Sequence, residues 1–127
     1  MLFRSDERLK AVRELSWDQF SAIVTEAYRR QGYTVAPANK SAYDFTLTKQ
    51  SRVTLLQCRR WKVNQLGAGP LEELVSAVAN ADAYNGICIT AGIVSPKARE
   101  FAAGKPLALV TGIELAVLVG NLQAIGK

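Results

Sequence analysis

Histidine is absent from this chain. Its absence removes Ser-His-Asp and Cys-His catalytic arrangements, imidazole general-base chemistry and histidine-ligated zinc. Cysteine is scarce, with Cys58 and Cys88 the only two. Two thiols cannot complete a four-ligand zinc site without other side chains, and they exclude a disulfide-rich secreted scaffold. Long apolar runs are missing too. The longest, Ile113 to Val119, falls far short of the ~20 residues a membrane-spanning helix needs. The first ten residues, MLFRSDERLK, are charged and lack the apolar core of an export signal. The expected setting is therefore soluble and cytoplasmic, with no membrane contact. Acids are the minority charge, 11 Asp and Glu against 16 Lys and Arg, for a net charge of +5. Any chemistry is left to carboxylates, lysine, arginine, hydroxyls or a bound metal.

What is present suits one packed domain. Of the 127 residues, 49% are hydrophobic and 21% charged, enough apolar material for a core and too much for disorder. There is no internal repeat. Residues 1–14 read as a charged arm or short helix, and residues 15–127 as the domain proper. Ser16 and Gln19 form an S-x-x-Q capping box for a helix over Ser16 to Gln31. Phe20, Ile23, Val24, Ala27 and Tyr28 give it one apolar stripe, and Gly32 stands at its exit. Tyr33 to Val35 reads as a strand stopped by Pro37. In Tyr43 to Thr48, side chains alternate, with Tyr43, Phe45 and Leu47 on one face and Asp44 on the other. A turn at Lys49 to Ser51 leads into a second strand over Arg52 to Trp61, an antiparallel hairpin.

The second half alternates helix and strand. Leu66 to Gly69 reads as a loop and Pro70 as the first residue of a helix with Leu71, Leu74, Val75 and Val78 inward. Gly86 to Thr90 is a buried strand, Ser95-Pro96 opens a helix, and Leu107 to Val110 is a further strand. Thr111 and Glu114 read as the capping box of a final helix with Leu115, Leu118 and Leu122 inward. The order is helix, three strands, helix, strand, helix, strand, helix. That implies an α/β domain with a mixed central sheet flanked by helices and at least one right-handed crossover.

The informative constellation is Asp44 with Gln57-Cys58-Arg59, since the hairpin turn can bring these side chains to one edge of the sheet. The strand then ends in Arg59-Arg60-Trp61-Lys62, basic and aromatic. Here the chain resembles the Mrr-type restriction endonucleases of the PD-(D/E)xK nuclease superfamily. The segments that carry the resemblance are Leu15 to Phe20, Arg29 to Val35, Tyr43-Asp44-Phe45, Leu56 to Lys62, Gly86 to Gly92, Ala98 to Ala102 and Leu107 to Leu115. The resemblance implies a restriction-endonuclease-like fold and Mg²⁺-dependent cleavage of DNA phosphodiesters. It implies Asp44, Gln57 and Arg59 as catalytic positions, with Asp44 and the backbone carbonyl of Cys58 as metal contacts. In such a site a hard cation bridges carboxylate, carbonyl and phosphate oxygens.

The chain departs from that pattern. The motif lysine is Arg59, which stays charged and cannot serve as a base. Ser21 stands where the first helix usually carries Glu, and Lys40 where the turn before the motif Asp carries an extra acid. The leading expectation is a DNA-binding domain of this family with cleavage impaired or lost, contacting phosphates through Lys40, Arg59, Arg60 and Lys62. One alternative is an active Mg²⁺-dependent endonuclease with Arg59 in the lysine role. The other is a non-catalytic assembly domain, in which the apolar C-terminal helix serves a homodimer or is plain core. Read without the resemblance, Asp44 is an ordinary polar residue on an edge strand. Trp61 reads as packing, Cys58 and Cys88 as buried thiols, and Glu26, Glu72 and Glu73 as helix-surface charges.

Overall fold

A computed structural model describes residues 5–120 of the chain. Its elements are α1 (Ser5–Arg13), α2 (Trp17–Arg30), β1 (Thr34–Pro37), β2 (Phe45–Lys49), β3 (Arg52–Gln57), β4 (Gln65–Leu66), α3 (Ala68–Asn80), β5 (Asn85–Ile89), β6 (Ile93–Val94), α4 (Pro96–Ala102), β7 (Leu107–Val110) and α5 (Ile113–Val119). The main sheet runs β1-β2-β3-β5-β7. β1, β2 and β3 are an antiparallel meander, and β5 and β7 add to it in parallel. The expected mixed sheet is therefore present.

Alternation along the central strands divides the core into two layers. Leu56 and Ile87 pack with Val12 of α1, Phe20, Ile23 and Val24 of α2, and Leu115 and Val119 of α5. Their neighbours Leu55 and Cys88 face the other way, against Leu71, Leu74 and Val78 of α3 and Ala98 of α4. This is helix–sheet–helix layering, and each fully buried leucine contributes about 1.5–3 kcal/mol.

Local signals account for most boundaries. The Ser16 side chain accepts from the Gln19 N–H while the Gln19 side chain accepts from the Ser16 N–H, so the capping box forms. Gly32 follows α2 at φ +98°, where a side chain would be strained. Gln50 and Ser51 both have positive φ, at 54° and 68°, which makes the hairpin connection a two-residue turn matched to strand twist. Ser95 caps α4 and Pro96 is its first residue.

Several expectations need correction. The second hairpin strand ends at Gln57, and Arg59 to Lys62 form a turn, not a strand end. Tyr43 precedes β2 and packs in the α3 layer, opposite Phe45 and Leu47. Pro70 is the third residue of α3, where a missing N–H is still harmless. The segment before α3 is not all loop, since β4 pairs with β6 in a small parallel sheet. The Thr111–Glu114 box does not form; α5 is capped by Gly112 at φ 56° with no side-chain hydrogen bond. Leu115 and Val119 of α5 are core, whereas Ile113 and Val117 are exposed; Leu122 lies outside the described residues.

Residues 5–13 are a helix bound into the domain. The Trp61 indole N–H donates to the Val12 carbonyl at 2.9 Å. Arg13 donates to the carbonyls of Lys62 at 2.8 Å and Val63 at 3.0 Å, which fastens α1 to the turn after β3.

Candidate functional site

The start of β2, the end of β3 and the first turn of α3 meet at one end of the sheet. The Asp44 N–H donates to the Leu56 carbonyl at 2.8 Å, extending the ladder one residue beyond β2. Past that point the two chains separate, and Asp44 fills the gap with its side chain. Its Oδ2 accepts the backbone N–H of Cys58 at 2.8 Å and of Arg59 at 3.0 Å. Its Oδ1 accepts Arg59 Nε at 3.3 Å. Asp44 is only 4% exposed, so these bonds supply the partners that burial of its carboxylate demands. They also end β3, because the two N–H groups that would continue the strand are turned onto Asp44.

Arg59 lies between Asp44 and an aromatic face. Its guanidinium carbon stands 4.2 Å from the centre of the Trp17 ring. Trp17 contacts Trp61 at 5.7 Å, and Trp61 stacks on Phe20 at 4.5 Å, so an aromatic column leads from the core to the arginine. The arginine side chain remains 55% exposed. Among the described residues, no hydrogen bond occupies its two terminal nitrogens.

Gln57 is held on three sides. Its Nε2 donates to the carbonyls of Ala42 at 2.8 Å and Pro70 at 3.0 Å. Its Oε1 accepts the Cys88 thiol at 3.1 Å. Two carbonyl partners fix which end of the amide is nitrogen. The side chain thereby ties the turn before Asp44 to the first turn of α3. Burial first, then the charge of Asp44, raises the Cys88 thiol to about 12, so it is a neutral donor. The same two causes, in the same order, push Cys58 well above its ordinary value. Neither thiol has the thiolate character of a nucleophile.

The turn of residues 38–43 closes the site. Ala38 and Asn39 donate to the Asp44 carbonyl and Lys40 to that of Tyr43. The result is an open pocket of about 390 Å³ lined by Asn39, Lys40, Ser41, Asp44, Gln57, Arg59 and Arg60. Lys40, Asp44, Gln57, Arg59 and Arg60 thus line one pocket. Lys62 is exposed but outside the lining, with its ammonium 5.2 Å from the Trp61 ring centre. The Cys58 side chain is fully buried and does not line the pocket. Sequence reasoning missed Trp17 as the platform for Arg59, and Arg13 as the clamp on the turn. An aromatic residue one position inside the α2 cap was the available signal for the first; the second had none.

The residues present do not fit Mg²⁺ in this arrangement. A carboxylate offers about four acceptor positions, and three on Asp44 are filled by N–H donors. The Gln57 oxygen is taken by a thiol. No group of three or more cysteine or acidic side chains among the described residues is placed to hold a metal. Arg59 puts a fixed positive charge where a dication would have to approach.

Comparison with known proteins places this geometry. Curated protein sequences yield no match. Several solved structures share the fold. A protein titled as of unknown function, AF1548, superposes with a TM-score of 0.61 at 13% identity, over 85% of this chain and 66% of that one. The DNA modification-dependent restriction endonuclease AspBHI gives 0.63 at 16%, over 97% of this chain and 36% of its own. The MspJI restriction endonuclease, solved with a 27-mer oligonucleotide, gives 0.53 at 18%, over 84% of this chain and 29% of its own. The chain thus spans about a third of the length of either restriction enzyme. No helix among the described residues is long and apolar enough to cross a membrane. The family model Mrr_cat, described as restriction endonuclease, matches residues 12–119. That match covers both core layers and every residue of the pocket, and the chain belongs to the Mrr-type restriction endonuclease family.

Proposed function

We propose that this domain binds the phosphate backbone of DNA through the pocket of Lys40, Arg59 and Arg60, with phosphodiester cleavage impaired or lost. The observation that carries the reading is the Asp44–Arg59 pair. The family's acidic position is neutralised by an arginine inside a pocket whose other charges, Lys40 and Arg60, are also positive. Lys62, exposed on the same turn, extends the basic surface beyond the lining. Such contacts position a duplex without reading its sequence. Arg59 can stabilise phosphate charge but cannot accept a proton, so nothing here activates water in the lysine's place.

Gel-shift titrations over a salt series test the binding. Affinity falls steeply with salt, and Arg60→Ala with Lys62→Ala reduces the log–log slope by about 1.8, at about 0.9 per phosphate contact. No binding at low salt refutes the proposal. A plasmid-nicking assay with Mg²⁺ or Mn²⁺ separates it from the active-nuclease reading. Cleavage that vanishes in Asp44→Ala favours an endonuclease with Arg59 in the lysine role.

An assembly role has one observation in its favour. Ile113 and Val117 lie one turn apart on α5 and are 70% and 69% exposed. A solution mass of two copies supports it, and a strict monomer counts against it.

A further inference from the structure

We infer that Arg59 is the resident counter-ion of Asp44, so that the pocket receives a DNA phosphate without any divalent cation. The inference rests on the DNA-binding reading and deepens it, replacing the family's metal with a side chain of the protein. Three observations converge. First, Asp44 is 4% exposed and accepts three N–H groups, one of them the Arg59 Nε, so its charge is already neutralised. Second, Gln57, the other side chain expected near a metal, spends both amide donors on carbonyls and its oxygen on the Cys88 thiol. Third, the guanidinium is immobilised on both sides, by Asp44 at 3.3 Å through Nε and by the Trp17 ring at 4.2 Å. Its free edge therefore carries the two terminal nitrogens. A planar fork held this way matches two oxygens of a phosphodiester and loses little freedom on binding. Lys40 and Arg60, which line the same pocket, supply further positive charge for the anion.

A dication and Arg59 compete for Asp44 in this scheme. Displacing the arginine would break its ion pair and its stack on Trp17 together. The protein in this form is closed to metal and open to phosphate.

Two measurements on the full chain test this. In calorimetric titration without DNA, the wild-type protein takes up no Mn²⁺ at submillimolar concentration, while Arg59→Gln, which frees Asp44 Oδ1 and removes the repelling charge, gains a Mn²⁺ site. In gel shifts at matched ionic strength, wild-type affinity for duplex DNA differs by less than about twofold between EDTA and Mg²⁺. Arg59→Gln in EDTA loses about tenfold, the scale of one charge-assisted contact. Wild-type Mn²⁺ uptake, or wild-type DNA binding that Mg²⁺ strengthens by about tenfold or more, overturns the inference. A complete absence of shift at low salt refutes the DNA-binding reading itself. The Mn²⁺ titration involves no DNA and still decides the counter-ion assignment. The wild-type arms need no variant, so an unfolded Arg59→Gln leaves the test intact.

Discussion

Replacing Gln57 by glutamate separates a packing role at this position from a metal-binding one. Gln57 is 5% exposed, and its Nε2 stands 2.8 Å from the Ala42 carbonyl oxygen and 3.0 Å from that of Pro70. In Gln57→Glu an ionised carboxylate would set oxygen against oxygen at those distances. A protonated carboxyl can still donate to one of the two carbonyls. Burial and this repulsion both favour the neutral form, so the folded-state pKa of the introduced carboxyl lies above the unfolded value near 4.3. Such a group leaves stability intact below the unfolded pKa and withdraws it as pH rises through the folded pKa. An upward displacement of about 2 corresponds to about 2.7 kcal/mol lost above pH ~6.5. The missing second donor removes a further ~1 kcal/mol at every pH. Relative to the parent, the variant is therefore less stable by about 1 kcal/mol at pH 4 and by about 4 kcal/mol at pH 8. Urea unfolding at a series of pH values measures the gap. A gap independent of pH refutes the reasoning. So does Mg²⁺ restoring stability at pH 8, because position 57 would then be holding a metal.

Three further outcomes follow from geometry elsewhere. A Cβ at Gly92 would overlap the Val63 carbonyl oxygen and come within 2.9 Å of that of Asn64, both backbone atoms that cannot step aside. Gly92→Ala should lower stability by about 3 kcal/mol, at the upper end for overpacking, and thermal melting checks it. Cys88 stays neutral to about 12 when folded but titrates near 8.5 when unfolded. Stability is thus complete below pH ~8.5 and falls by up to ~1.4 kcal/mol per pH unit per buried thiol above it. Denaturation midpoints at pH 8 and 10 should show that fall, and Cys88→Ala should reduce it. Trp61→Phe keeps an aromatic ring at this position but removes the pyrrole half of the indole, with the N–H that reaches the Val12 carbonyl. A loss of about 1–3 kcal/mol and faster amide exchange in α1 are expected; unchanged exchange would show that α1 does not depend on this bond.

Periodicity and capping chemistry made the helices and the hairpin legible, because those signals are local. α2 is the clearest instance, with its cap, stripe and exit glycine all written within seventeen residues. The errors fall where distant groups decide. Cys58-Arg59-Arg60-Trp61 is compatible with a strand by composition, and only the Asp44 carboxylate, reaching across from the other chain, ends β3 at Gln57. β4 and β6 are two residues each, too short to carry a pattern. Thr111 and Glu114 have the right spacing for a box, yet the backbone at Gly112 starts α5 after it. For the site, the resemblance brought Asp44, Gln57 and Arg59 to one place. That each is already engaged depends on Ala42, Pro70, Cys88 and Trp17, which no local spacing connects.

The aromatic column beneath Arg59 gives the pocket an optical signal of its own. The chain has two tryptophans, and both are in the column. Trp61 is sealed at 5% exposure, whereas Trp17 carries the guanidinium on its face. An anion received at the free edge of Arg59 alters the electric field across the Trp17 indole on which the guanidinium lies. Occupancy of the pocket can thus be followed by intrinsic fluorescence, with no label attached to protein or DNA.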